Sequence, residues 1–355
     1  MHPLLPASCS WNTTAKRSLA MNENSSQEAK RRAVENLRSG RSLDTQALLL
    51  NIQQGSRSAL AQGITLIETG HSEWLADLPR SSSKSIRLGI SGVPGAGKST
   101  LIEALGMLLI EQGHRVAVLA IDPSSPVSKG SILGDKTRME RLSMHDMAFV
   151  RPSASSNALG GVTKSTREAM HLCEFAGYDV IIIETVGVGQ SEIAVRAMCD
   201  YFLLLLLAGA GDQLQGIKRG IMEICDGIAI TKSDGDNALH AQKAVGEFAS
   251  AMHLFPTRDH GLTPAVMAVS ALHHQGIEAL WSDVQRVFRY LDERGFIDQL
   301  RKNQYLSWLH EMLREETILQ FYSRNAEAIA QAESSIAQGL SSPYAEALKI
   351  LQQKK

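Results

Sequence analysis

The chain has 355 residues, enough to bury a substantial core in one large or two ordinary domains. Its composition, 44% hydrophobic and 21% charged, is that of an ordinary globular protein. A formal net charge of -1 carries no global basic field, so nucleic acid is not indicated as a partner.

Cys9, Cys173, Cys199 and Cys225 are scattered and form no C-x-x-C pair, which argues against a zinc knuckle or a disulfide framework and suits reduced thiols. The longest apolar run, Tyr201 to Ala210, is too short to span a bilayer as a helix, so no membrane association is expected. Met1 to Asn22 contain no acid, and their only lysine and arginine are Lys16 and Arg17. With arginine so scarce, residues 1–27 are read as a disordered or mis-called extension, and the expected location is cytoplasmic. Two alternatives share that composition: a start at Met21, or a transit peptide over residues 1–22 leading to the mitochondrial matrix.

Residues 28–80 read as a helical N-terminal region. Ala33, Val34 and Leu37 end in Ser39-Gly40, and Ser42-Leu43-Asp44 offers a fresh start. From Ala47 to Ile67 apolar residues recur at helical spacing, with Gly55 and Gly63 as expected interruptions. Pro79 and the serines Ser81, Ser82 and Ser83 mark a boundary.

Residues 86–290 alternate between strands and helices. Short apolar runs at Val116 to Ile121, Val180 to Ile183, Phe202 to Leu207, Ile228 to Ile230 and Val266 to Val269 lack the in-out alternation of a half-exposed strand. Strands buried on both faces belong to a mostly parallel sheet flanked by helices, so the fold class is α/β, with its site at the strands' carboxyl ends. Residues 291–355 form a helical C-terminal region. Val284, Val287, Phe288 and Leu291 make one apolar stripe; Leu306, Leu309 and Leu313 make another, either intramolecular core or a dimerisation arm.

The chemistry centres on Gly92-Val93-Pro94-Gly95-Ala96-Gly97-Lys98-Ser99-Thr100, a G-x-x-x-x-G-K-S phosphate-binding loop. Strand-like Arg87 to Ile90 precedes it, and Leu101, Leu105, Leu108 and Leu109 follow at helical spacing to Gly113. Glycines let the backbone amides wrap an oxyanion, and the helix adds the positive end of its dipole. Lys98 is expected on the β- and γ-phosphates, and the Ser99 hydroxyl on Mg²⁺.

The other strand ends carry the partners such a loop requires. Glu184, after Ile181-Ile182-Ile183, stands where an acid reaches Mg²⁺, and Gly187 where an amide meets the γ-phosphate. Thr231-Lys232-Ser233-Asp234 resembles the N-K-x-D motif that reads guanine: the aspartate accepts from the ring N–H and the amine, and the lysine stem packs on the base. Adenine leaves that carboxylate unpaired. Thr231 in place of asparagine weakens the motif, because the asparagine amide braces the loop. Ser270-Ala271, at a later strand end, matches the element whose backbone helps hold guanine. Asp122 and Asp135 are either further Mg²⁺ ligands or turn formers.

Longer runs narrow the reading. Gly-Val-Pro-Gly-Ala-Gly-Lys-Ser-Thr, Ile121-Asp122-Pro123-Ser124-Ser125-Pro126, Gly134-Asp135-Lys136-Thr137-Arg138-Met139 and Glu184-Thr185-Val186-Gly187-Val188-Gly189-Gln190-Ser191-Glu192 resemble the methylmalonyl-CoA mutase-associated GTPases. These are the MeaB/ArgK family of the signal-recognition-particle class of P-loop GTPases. The resemblance runs from Leu43 to Leu319. It implies that Asp122, Asp135 and Glu184 join Ser99 around Mg²⁺, that Gly187 to Glu192 is a switch, and that Gly209 to Lys218 is a second switch meeting a partner. It further implies a homodimer with slow GTP hydrolysis that gates adenosylcobalamin loading of a cobalamin-dependent acyl-CoA mutase and protects that enzyme. Gln213, where the family usually has an acid, and Leu262, where it usually has tryptophan, depart from the pattern, whereas Thr231 occurs in some members and does not count against guanine. Competing readings are an ATPase or kinase linked to transport of lysine, arginine or ornithine, and a binding module in which nucleotide is structural.

Overall fold

The computed structural model describes residues 44–78, 84–121, 139–152, 159–185, 191–208, 219–256 and 258–352. The extension expected over 1–27, the helical stretch before residue 44 and the boundary at 79–83 lie outside them. The first helix, α1 (Thr45–Gln53), starts on Asp44, whose carboxylate accepts from the Ala47 N–H at 2.9 Å. The second, α2 (Arg57–Glu68), starts on Ser56, whose hydroxyl accepts from the Ala59 N–H at 3.3 Å.

Gly55, at φ +84°, turns the chain between them, as its position suggested. Gly63 does not interrupt the helix. It lies inside α2, and a Cβ there would sit 2.8 Å from Leu172 Cδ2, so its glycine serves close packing. The helices bury Ile52, Leu60 and Ile64 in one cluster with Leu172 and Ile181, and so share the core of the sheet.

Among the described residues seven strands follow: β1 (Ile86–Gly92), β2 (Val116–Ile121), β3 (Ala148–Arg151), β4 (Val180–Thr185), β5 (Tyr201–Leu207), β6 (Gly227–Thr231) and β7 (Ala265–Ala268). They form one sheet in the order β3-β2-β4-β1-β5-β6-β7, parallel throughout. β3 was not among the expected strands; its four residues, Ala-Phe-Val-Arg, are too short an apolar run to stand out. Along β5, Phe202, Leu204 and Leu206 enter one core cluster while Tyr201, Leu203 and Leu205 enter the other. That double burial is why the strand shows no polar alternation.

Helices α3 (Lys98–Glu111), α4 (Glu140–Met144) and, later in the chain, Ile277–Glu293 cover one face. On the other face, α1 and α2 are joined by α5 (Leu159–Phe175), α6 (Ser191–Arg196), α7 (Arg219–Ile224) and α8 (Ala238–Met252). The Ile277–Glu293 helix, α9, buries Val284, Val287 and Leu291 of the expected stripe. Beneath the sheet, Arg87 of β1 is fully buried and grips Glu174 of α5 with two bonds, Nε–Oε1 at 2.8 Å and Nη2–Oε2 at 2.9 Å. Because β1 lies between β4 and β5, the strand order reverses beside it. The carboxyl ends of β1 and β4 therefore flank the crevice where open α/β sheets bind ligands.

A second compact unit, Asp298–Lys355, is helical. It holds most of α10 (Phe296–Arg324), together with α11 (Ala326–Ala337) and α12 (Pro343–Gln352). Leu306, Leu309 and Leu313 are 49%, 46% and 55% exposed.

Candidate functional site

The phosphate-binding loop is built by local conformation. Gly95 and Gly97 stand at φ +81° and +83°, where a side chain would strain the backbone, and Gly97 caps the start of α3. Gly92 answers a different demand. It pairs with Leu205 of β5, and a Cβ there would lie 2.6 Å from the Leu205 carbonyl oxygen. Val93 to Thr100 complete the loop; Ala96, Lys98 and Ser99 are buried, while Pro94, Gly95 and Thr100 face solvent. The Lys98 ammonium donates to the Gly92 carbonyl at 2.8 Å, which holds a positive charge inside the loop's mouth. An anion seated there would meet that ammonium and the amino end of α3 together.

Glu184 lies near the carboxyl end of β4, beside β1, with Ile90 as its register partner. It is 3% exposed, and its Oε1 is 3.4 Å from the Ser99 hydroxyl. A hydroxyl and a carboxylate side by side next to a phosphate loop are hard oxygen donors of the kind magnesium takes. The residues present thus fit that ion. Asp122, Asp135 and Gly187 lie outside the described residues, as does the loop from 209 to 218 with Lys218. Among the described residues no group of three or more His, Cys, Asp or Glu forms a metal cage.

The residues expected to read the base gather at the carboxyl ends of β6 and β7. Ser270 donates its hydroxyl to the Asp234 carboxylate, and the Ser233 N–H donates to the Val269 carbonyl at 3.3 Å, tying the two loops together. Ala271, next to Ser270, is half-buried. Lys232 is exposed and stands at φ +55°. Ser270 also closes its own loop by a two-bond bridge to Gln275, with N···O distances of 2.9 and 3.0 Å.

Thr231 is where the structure adds most to the sequence reading. Its hydroxyl is 2.7 Å from the Ala96 carbonyl of the phosphate loop and 3.1 Å from the Leu206 carbonyl. The bracing expected of an asparagine amide is thus supplied by threonine. No local pattern signals this contact, since 135 residues separate the partners. Asn237 was also missed; its amide donates to the Lys232 carbonyl at 2.7 Å.

The family model described as "Methylmalonyl Co-A mutase-associated GTPase MeaB" matches residues 60–326. A probable GTPase of Mycobacterium bovis is 48% identical over 279 residues, covering 77% of this chain and 83% of that protein. The Mus musculus protein named methylmalonic aciduria type A homolog, mitochondrial, is 43% identical over 315 residues, covering 83% and 76%. Among solved structures, the crystal structure titled LAO/AO transport system kinase superposes with a TM-score of 0.66 at 34% identity, covering 87% of this chain and 96% of that one.

Proposed function

The chain belongs to the methylmalonyl-CoA mutase-associated GTPase family, and from that premise we propose that it is a Mg²⁺-dependent GTPase serving a cobalamin-dependent acyl-CoA mutase. In this reading it gates adenosylcobalamin loading and protects the mutase. The supporting observation is the convergence of the phosphate loop at the end of β1, Glu184 on β4, Thr231 to Asp234 at the end of β6 and Ser270-Ala271 after β7 at the carboxyl end of one sheet. The whole loop from Gly92 to Thr100, Val93, Pro94, Gly95, Ala96 and Gly97 included, cradles the phosphates, with Lys98 neutralising their charge. Lys232 and Asp234 select guanine, with Ser270 holding the Asp234 carboxylate in place. Ser99 and Glu184, with Asp122 and Asp135, would hold the Mg²⁺, whose charge offsets that of the β- and γ-phosphates. Gly187 would meet the γ-phosphate.

A second copy of the chain fits the exposed stripe Leu306, Leu309 and Leu313, since an uncovered apolar face of this kind marks a contact surface. No helix among the described residues is long and apolar enough to cross a membrane.

The output is tested by titrating the mutase with protein loaded with GDP or with a non-hydrolysable GTP analogue, and repeating this with Lys218→Ala. A ligand shifts an equilibrium only through differential affinity, so the two states must bind the mutase differently. Equal affinities, with no stimulation of GTP hydrolysis by the mutase, refute the partner. The 34%-identical LAO/AO transport system kinase favours one second reading, a transport-linked kinase. Competition of ATP against GTP separates them: guanine preference that turns toward XTP in Asp234→Asn belongs to the GTPase, and ATP preference to the kinase.

A further inference from the structure

Lys232 is a long-chain residue in a backbone region that suits glycine, at φ +55°. There the Cβ crowds the carbonyl oxygen, so the conformation persists only where neighbours hold it. Among the described residues one other non-glycine shares it, His274, also at φ +55°. The two stand in the loops after β6 and β7, the pair assigned above to the base.

Two bonds hold the peptide that follows Lys232: the Ser233 N–H donates to the Val269 carbonyl at 3.3 Å, and the Asn237 side chain holds the Lys232 carbonyl. Asn237 stands just before α8 with a helical backbone, φ -85° and ψ -9°, and its side chain makes no bond to the helix's first amides. Instead its amide nitrogen donates backward to the Lys232 carbonyl at 2.7 Å. Its backbone N–H donates to the Asp234 carbonyl at 3.1 Å, closing the short turn Gly235–Asn237. The carbonyl of Lys232 belongs to the peptide joining it to Ser233, so fixing that carbonyl fixes the lysine's ψ. A carbonyl only accepts, so the contact requires a donor, and an aspartate in the same place could not make it.

We propose that Asn237 is a specificity-determining positioning residue, whose amide clamps the Lys232 carbonyl and keeps Lys232 and Asp234 in the arrangement that reads a guanine nucleotide. The proposal rests on the base reading given above and adds to it the residue that shapes the turn. It differs from a plain helix cap in one measurable way. Aspartate caps helices as well as asparagine does, but it cannot clamp a carbonyl.

The experiment measures dissociation constants of GDP, ADP and inorganic triphosphate by calorimetry for wild type, Asn237→Asp, Asn237→Ala, Lys232→Gly and the Lys232→Gly/Asn237→Ala double variant. Thermal melting of each reports folding. Asn237→Asp and Asn237→Ala are expected to weaken GDP binding about tenfold, in line with loss of one hydrogen bond that secures a strained residue. Inorganic triphosphate, which meets the phosphate loop alone, should bind as before. In the Lys232→Gly background, where the left-handed turn carries no side-chain strain, Asn237→Ala should change GDP binding by less than twofold.

Wild-type GDP affinity in Asn237→Asp, or an undiminished effect of Asn237→Ala in the Lys232→Gly background, overturns the clamp while the base reading stands. Equal losses for GDP and triphosphate overturn it too, because they point to a general disturbance. Wild-type protein that binds ADP as tightly as GDP overturns the base reading, and this proposal with it.

Discussion

Replacing Thr231 with valine removes one hydroxyl and keeps the side chain's shape. Thr231 is 5% exposed, Ala96 is fully buried, and the hydroxyl has a single proton for two carbonyls, with Ala96 the nearer at 2.7 Å against 3.1 Å for Leu206. The Ala96 carbonyl shares a peptide plane with the Gly97 N–H, which points the opposite way. Thr231, at the end of β6, therefore sets the direction of a phosphate-loop amide. Leaving a buried acceptor without its donor costs about 1–3 kcal/mol. If the nucleotide-binding conformation bears the whole cost, affinity falls roughly 5- to 140-fold at about 1.4 kcal/mol per tenfold. Calorimetric titration should show the loss for GDP and inorganic triphosphate alike, because the damage lies in the phosphate loop. Thr231→Ser, which keeps the hydroxyl, should recover most of it. GDP binding within twofold of wild type in Thr231→Val, or a Thr231→Ser variant as weak as the valine, would refute the reasoning.

The buried Arg87–Glu174 pair should be costly to break: Glu174→Gln should lose about 3–5 kcal/mol at neutral pH, read by urea unfolding, because the arginine keeps a buried charge without its counter-charge. Burial pushes the Glu174 carboxyl up from its ordinary 4.5, but hydrogen bonds from His171 and Arg87 and the Arg87 charge outweigh it and hold the group well below the carboxylate range. A depressed carboxyl contributes stability that is complete above that ordinary value and is lost as pH falls below it. The wild-type melting temperature should thus fall more steeply between about pH 5 and pH 3 than that of Glu174→Gln. Gly92→Ala should force β1 and β5 apart, since the added Cβ meets the Leu205 carbonyl oxygen at 2.6 Å; about 1–3 kcal/mol of stability and most GDP binding should go together, measured by unfolding and titration. Burial pushes the Cys199 and Cys225 thiols up to about 12, and the buried Cys173 thiol upward too. Iodoacetamide at about pH 8 should label none of the three until the protein is unfolded, as peptide mass spectrometry would show.

The sequence by itself determined whatever depends on neighbours along the chain. The glycines of the phosphate loop, the helix after Lys98 and the parallel sheet were legible because backbone conformation and burial on both strand faces leave a pattern within a few residues. The order of the motifs also placed Glu184, Thr231 to Asp234 and Ser270 at strand ends, since a parallel sheet sends every carboxyl end to one edge. Only the tertiary structure decided which distant groups meet. Thr231 braces Ala96 because β6 ends level with the loop that follows β1, two strands away, and no spacing in the chain records that. Gly63 looked like a helix breaker until Leu172 was seen packed against it. Asn237 carried no signal in the sequence, because its amide turns back on the Lys232 carbonyl five residues earlier only once the turn has formed. The stripe at Leu306, Leu309 and Leu313 has the spacing of a core face and is exposed, because apolar periodicity states that a face is to be covered and is silent about what covers it.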